Sequence, residues 1–254
     1  MRTVWALWKR EIIKFVRDRS RVAGAVLQPL LVWLLLGFGF QESFRLPGAE
    51  DVPYLEFLFP GIIALIALFT SIFSTISIVE ERKSGFLQAA LAAPVARSSI
   101  VLGTTLGGTS LALVQALLFA AMLPALGPTP SVAGSLLFLA VTACIGIAFT
   151  SLGICMAWKT RTTRGFHALM NLFLVPLWAL SGAFFPLSGT PAVLSWIIRI
   201  NPVSYGVDAL RQTVYLPAAA PVILADLPVS LGITAAFALV MFTVAVRVVR
   251  KGAG

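Results

Sequence analysis

Few residues in this chain could make or break a bond. Its 254 residues include ten acids, one histidine and two cysteines. The neighbouring acids are Glu50–Asp51 and Glu80–Glu81, and an apolar run separates the two pairs. An enzyme needs a base, a nucleophile or a metal cluster converging on one point, and His167 stands alone. Gly103-Thr-Thr-Leu-Gly-Gly108-Thr109-Ser110 has the glycine spacing of a phosphate-binding loop. It carries Thr109 where the phosphate-contacting lysine belongs, and it lies in an apolar run rather than after a strand. Gly103 and Gly107 read better as a small-xxx-small pair that lets helix backbones approach in lipid. Cys144 and Cys155 lie on one predicted helix, separated by roughly 16 Å of rise. They cannot bridge each other and read as apolar packers.

The chemistry that remains is contact. The stretch from Val79 to Arg97 reads VEERKSGFLQAALAAPVAR. Ser84 can cap a short helix carrying Phe86, Leu87, Ala90 and Leu91, and Pro94 can end it. The product is a small apolar knob beside charges, and exposed apolar surface of this kind marks a docking site. The plainer alternative is a solvated turn. Gln28, Gln115 and Asn171 are strong polar groups in or beside apolar runs. They read as interhelical glue, with Gln28 and Asn171 also able to line a path. Phe59, Phe69, Phe73, Trp178 and Phe184 could touch a cargo or simply pack.

The elements that must position these groups are membrane spans. From Ser98 to Trp158 there is no Asp, Glu, Lys or Arg. A span needs about 20 mostly apolar residues as a helix, and six such runs are present: 22–40, 57–79, 99–126, 132–157, 166–185 and 227–246. The runs are continuous rather than alternating, so the prediction is an all-α, polytopic membrane protein and not a barrel. One membrane domain is expected over 1–254. The net charge is +9, and sixteen of the nineteen basic residues fall before span one or after spans two, four and six. The positive-inside rule then puts both termini in the cytoplasm. Because those groups are spread among helix ends, a nucleic-acid partner is excluded. The first 21 residues are charged throughout, unlike a cleavable signal peptide. They predict an amphipathic interfacial helix, with Trp5, Trp8, Ile12 and Phe15 or Val16 on one face and Lys9, Arg10, Lys14 and Arg17 opposite. Between spans five and six, Ala192–Ile200 and Val203–Tyr215 are too short to cross. They predict two re-entrant helices broken at Asn201–Pro202.

Two motifs carry a resemblance. The cytoplasmic stretch fits E-R-x-x-G-x-x-x-x-L-x-x-x-P-x-x-R through Glu81, Arg82, Gly85, Leu91, Pro94 and Arg97, with Leu91 one position late. The outer stretch fits N-P-x-x-Y-x-x-x-x-[LF]-R through Asn201, Pro202, Tyr205 and Arg211, with Asp208 where a Glu is common. Arg10-Glu11, Phe15, Arg17-Asp18 and Gln28-Pro29 agree. The chain resembles ABC transporter permeases of the type-2 exporter class over its whole length. The resemblance implies half of a membrane dimer, docked through a coupling helix at Glu81–Leu91 on a separate cytoplasmic ATPase. That ATPase would bind ATP and Mg, leaving this chain with no cofactor and no catalytic residue. It also implies that the N-terminal helix is the connecting helix, packed beside the coupling helix, and that the outer helices close an export path in the cytoplasmic membrane. Apolar, uncharged spans suit a hydrophobic or amphipathic cargo. The rival reading is a scaffold or assembly factor that transports nothing.

Overall fold

The structure, a computed structural model, describes residues 2–17, 19–40, 52–85, 95–126, 130–187, 190–215 and 223–251. Among these residues it is helical throughout, without strands. The helices are α1 (Arg2–Arg17), α2 (Arg19–Phe40), α3 (Tyr54–Ser74), α4 (Ile76–Lys83), α5 (Arg97–Ala120), α6 (Val132–Lys159), α7 (Thr163–Trp178), α8 (Ala192–Ile200), α9 (Pro202–Tyr215) and α10 (Leu227–Lys251). Five stretches of the described residues are long and apolar enough to span: Tyr54–Lys83, Arg97–Ala120, Val132–Lys159, Thr163–Ala183 and Leu227–Lys251. The backbone of α2 is long enough to supply the sixth, and its apolar part runs Leu27–Phe40. The all-α polytopic membrane architecture expected from the sequence is present.

The span boundaries differ from the sequence reading in instructive ways. The second span runs four residues past Val79 but breaks at Thr75. There the Thr75 hydroxyl donates to the Ile72 carbonyl at 2.7 Å, and Ser74 does the same to Ser71. Hydroxyls that bond back to their own turn compete with regular helix. The third span ends as α-helix at Ala120 and finishes in a short 3-10 turn, Leu123–Ala125. The fifth loses regularity after Trp178. A π-type turn, Ala179–Ala183, contains Gly182 at φ +75°, a left-handed conformation that glycine adopts without steric cost. Pro176 just before it removes a helical donor.

The centre of the bundle is α3. It is buried on nearly all sides by α2, α5, α6, α7 and α9. Apolar attraction alone does not drive helices together in lipid, so close packing must. Small residues supply it. A methyl group added at Gly108 would fall 2.5 Å from both the Ser74 and Thr150 hydroxyls, and one at Gly61 would fall 2.7 Å from Ala183.

The glycine pair on α5 packs a helix as expected, but the helix it receives is α1. A Cβ at Gly103 would lie 2.8 Å from Leu7, and one at Gly107 would lie 2.7 Å from Glu11. Trp8 adds a hydrogen bond from its indole nitrogen to Ser110 at 2.9 Å. The expected face assignment of α1 is corrected accordingly. Leu7, Trp8 and Glu11 turn toward the bundle, and Arg10 and Lys14 turn inward with them. Trp5 and Val16, expected on the apolar face of an interfacial helix, point away from the bundle and are about two-thirds exposed. A two-sided reading of the helix missed this because two buried acids draw the cations inward, Glu11 pairing with Arg10 and Glu81 with Arg10 and Lys14.

Candidate functional site

At one end of the bundle α4 finishes in two charged residues that do different work. Glu81 is buried and receives Arg10 at 3.0 Å and Lys14, both from α1. Arg10 also pairs with Glu11 at 2.9 Å, and Ser77 donates to the other Glu11 oxygen at 3.4 Å. Arg82 points away toward the α6–α7 link. Its guanidinium donates to the carbonyls of Trp158 and Thr160 at 3.0 Å each and lies 5.5 Å from the Trp158 ring centroid. The last turn of α4 is therefore tied to α1 on one side and to the α6–α7 link on the other. Ser84 closes this helix, its hydroxyl donating to the Glu81 carbonyl at 3.1 Å, and the short helix it is expected to cap lies outside the described residues. Gly85 follows at φ +78°, the left-handed position favoured for glycine after a helix end. Phe86, Leu87, Leu91 and Pro94 lie outside the described residues. At the same end the Arg97 guanidinium donates to the Arg250 carbonyl at 2.7 Å, joining the start of α5 to the end of α10.

Above this anchor, α1, α2, α3, α4 and α7 enclose a cleft of about 400 Å³. Three of the four residues named as path-lining meet in it: Gln28, Phe69 and Phe73. Phe73 sits beside His167, ring centroids 5.7 Å apart. Thr70, also on the lining, bonds Gln115 behind it, so Gln115 is the interhelical glue expected of it. The fourth residue, Asn171, does not line the cleft. It is exposed on the outer surface of α7, one helical turn past His167. The other aromatics pack. Phe59 is fully buried against Trp33 and Phe119, and Trp178 donates to the Gly61 carbonyl at 2.8 Å while Phe184 meets its ring edge-on.

At the opposite end, the N-P-x-x-Y motif repairs the broken end of α7. Freed carbonyls in a membrane must find donors within the protein. The Asn201 amide nitrogen donates to the carbonyls of Leu177 at 2.6 Å and Leu180 at 3.0 Å. Its oxygen accepts from the Val203 amide at 3.0 Å and so caps α9, which Pro202 begins. The Tyr205 hydroxyl donates to the Arg199 carbonyl across the α8–α9 corner. Arg211 donates to the Gly182 carbonyl at 3.2 Å and lies 4.5 Å over the Phe57 ring. Burial pulls its guanidinium down to about 10, while Asp208 and Tyr215 act against that shift. It stays charged at neutral pH.

Sequence reading passed over Asp208, which is the hub of this end. It is buried and accepts from Ser230 at 2.6 Å, Gln212 and the Leu224 amide at 2.8 Å, and the Ala225 amide at 3.3 Å. One carboxylate thus fastens α9 to the start of α10. Its place in a helix, three residues before Arg211, could have marked it. The expected break at Asn201–Pro202 is present, with α8 and α9 on either side. α8 buries only Ile198 and exposes Val193, Trp196 and Ile200. Among the described residues no group of three His, Cys, Asp or Glu side chains could hold a metal.

Comparison with known proteins agrees with this geometry. The family model for the ABC-2 type transporter matches residues 2–215. A protein of Cyanophora paradoxa named transport permease ycf38 is 31% identical over 214 residues, covering 82% of this chain and 72% of that protein. Nodulation protein J of Sinorhizobium fredii is 28% identical, covering 81% of this chain and 79% of its own length. Nodulation protein J of Rhizobium leguminosarum bv. viciae is 26% identical over 97% of this chain and 93% of its own length. With its spans, its anchored α4 and its match over 2–215, this chain belongs to the ABC-2 type transporter family of membrane transport permeases.

Proposed function

We propose that this chain is the membrane-spanning subunit of an ATP-driven exporter in the cytoplasmic membrane, with both termini cytoplasmic. It works as one half of a permease dimer beside a separate ATPase that supplies the nucleotide and Mg site. The cargo is hydrophobic or amphipathic and passes by the cleft that holds Gln28, Phe69 and Phe73.

The observation that carries the reading is the double anchorage at Glu81 and Arg82. The segment 86–94 follows directly, and a force applied there reaches α1 through Glu81 and the α6–α7 link through Arg82. Both α1 and α7 contribute walls to the cleft. A push on the knob is therefore converted into a change of cleft shape, as alternating access requires. A plain scaffold has no use for such a linkage. Phe86 and Leu87 supply the apolar contact with the ATPase.

The test is reconstitution of the permease with its ATPase in proteoliposomes. The double substitution Phe86→Asp and Leu87→Asp should abolish co-purification and cargo-stimulated ATP hydrolysis while leaving the permease folded. Full coupling by that variant would overturn the docking role.

A further inference from the structure

Glu80 and Glu81 are neighbours in sequence and opposites in environment. Glu81 is buried under Arg10 and Lys14. Successive residues of a helix point about 100° apart, and Glu80 faces the cleft instead. Its carboxylate is exposed and makes no ion pair or side-chain hydrogen bond among the described residues. It is the one acid on the described lining, which includes no lysine or arginine. Lys83 and Arg164 stand about one turn away on α4 and α7, exposed and off the lining. The rest of the wall is uncharged and ring-rich, with Phe15, Phe69 and Phe73, with His167 against Phe73, and with Gln28, Thr70 and Ser74 as its neutral polar groups.

A lone carboxylate at the edge of an aromatic hollow selects a cation that carries apolar bulk. Ring faces attract positive charge, and the carboxylate at the rim supplies the countercharge. Among the described residues, an amphiphilic anion would meet Glu80 with no lysine or arginine on the lining to compensate it. We infer that the cleft binds amphiphilic cations, with the charge at Glu80 and the apolar part against Phe69 and Phe73. This rests on the cleft being the cargo site and narrows that reading to a charge class.

Two ions of nearly equal size and opposite sign make the test. Binding of tetraphenylphosphonium and of tetraphenylborate to the purified full-length permease in neutral-lipid nanodiscs is measured by equilibrium dialysis, for wild type, Glu80→Gln and Phe73→Ala. Wild type should prefer the phosphonium, and Glu80→Gln should weaken it about tenfold while improving the borate. Phe73→Ala should weaken both. Equal affinities for the two ions, unchanged by Glu80→Gln, would overturn the charge selection and leave the cargo cleft standing, provided Phe73→Ala still weakens both. Indifference of both ions to Phe73→Ala, or no binding of the phosphonium to wild type, would overturn the cleft as the site as well.

Discussion

The Asp208 carboxylate accepts a hydrogen bond from the Ser230 hydroxyl at 2.6 Å, joining the short helix α9 to the first turn of the last span. Three further donors share that carboxylate, from Gln212, Leu224 and Ala225. Hydrogen bonds to a charged group contribute about 1.5–3 kcal/mol each when buried, and they are not additive. Asp208→Asn keeps the shape but turns one acceptor oxygen into a donor facing donors. We expect a loss of about 2–3 kcal/mol, read as a lowered Tm in a thermal unfolding scan of the detergent-solubilised protein. An unchanged Tm would show that the hub is ornamental.

Asn201→Ala leaves the Leu177 and Leu180 carbonyls without a donor and uncaps α9. Each lost partner costs about 1–3 kcal/mol. The expected outcome is faster proteolysis of the α8–α9 corner and lower yield of folded protein. Asn201→Asp keeps the cap oxygen but places a charge against two carbonyls, and should fare no better.

Glu81→Gln separates stability from coupling. Lys14 is about 40% exposed and Arg10 about 25%, so solvent screens much of what the pair contributes. The stability loss should be about 1 kcal/mol. The loss of cargo-stimulated ATP hydrolysis in the reconstituted pair should be much larger, because α1 loses its ion pairs to the last turn of α4. Equal, small losses in both measurements would reduce Glu81 to an ion pair with no part in coupling.

Gly107→Leu would drive a side chain into Glu11, whose Cβ is already 2.7 Å from where the new Cβ must sit. Neither backbone can yield without separating α1 from α5. The expected result is α1 lifted off the bundle, seen as increased accessibility of a single cysteine placed at Leu7 to a membrane-impermeant maleimide. Gly39→Ala, with nothing within 4 Å of its added Cβ, serves as the silent control.

Phe73→Ala and Asn171→Ala divide the two parts of the path assigned from sequence. Phe73 lines the cleft and Asn171 does not. In a proteoliposome export assay the first should slow transport and the second should leave it unchanged. The reverse order would move the path to the outer surface of α7.

Much of this architecture was legible in the order of residues, because a bilayer punishes charge and rewards long apolar runs. The spans, the break at Asn201–Pro202 and the Gly103–Gly107 notch all follow from such local rules. What was illegible depended on partners distant in sequence. Nothing near Asp208 announces that Ser230 and two amides will converge on it, and nothing near Gly103 says that the first helix will fill the notch. Asn171 and Gln28 look alike as lone amides in apolar runs, and only packing decides which faces a cleft. Glu80 and Glu81 likewise read as one acidic pair until the last turn of α4 sends them in different directions. Thr75 looks like an ordinary span residue, and its break depends on where hydroxyls find carbonyls.

The seat of α1 has a consequence for biosynthesis. The helix is translated before the surfaces that grip it, since Glu81 on α4 and Gly103 and Gly107 on α5 are made roughly 70–100 residues later. At about 5–20 residues per second the ribosome needs several seconds to deliver them. During that interval α1 has only the lipid surface to rest on, with its buried acid uncovered. A nascent chain halted before α4 should leave it loose, so final assembly of this subunit closes backward, an early helix locked in place by later ones.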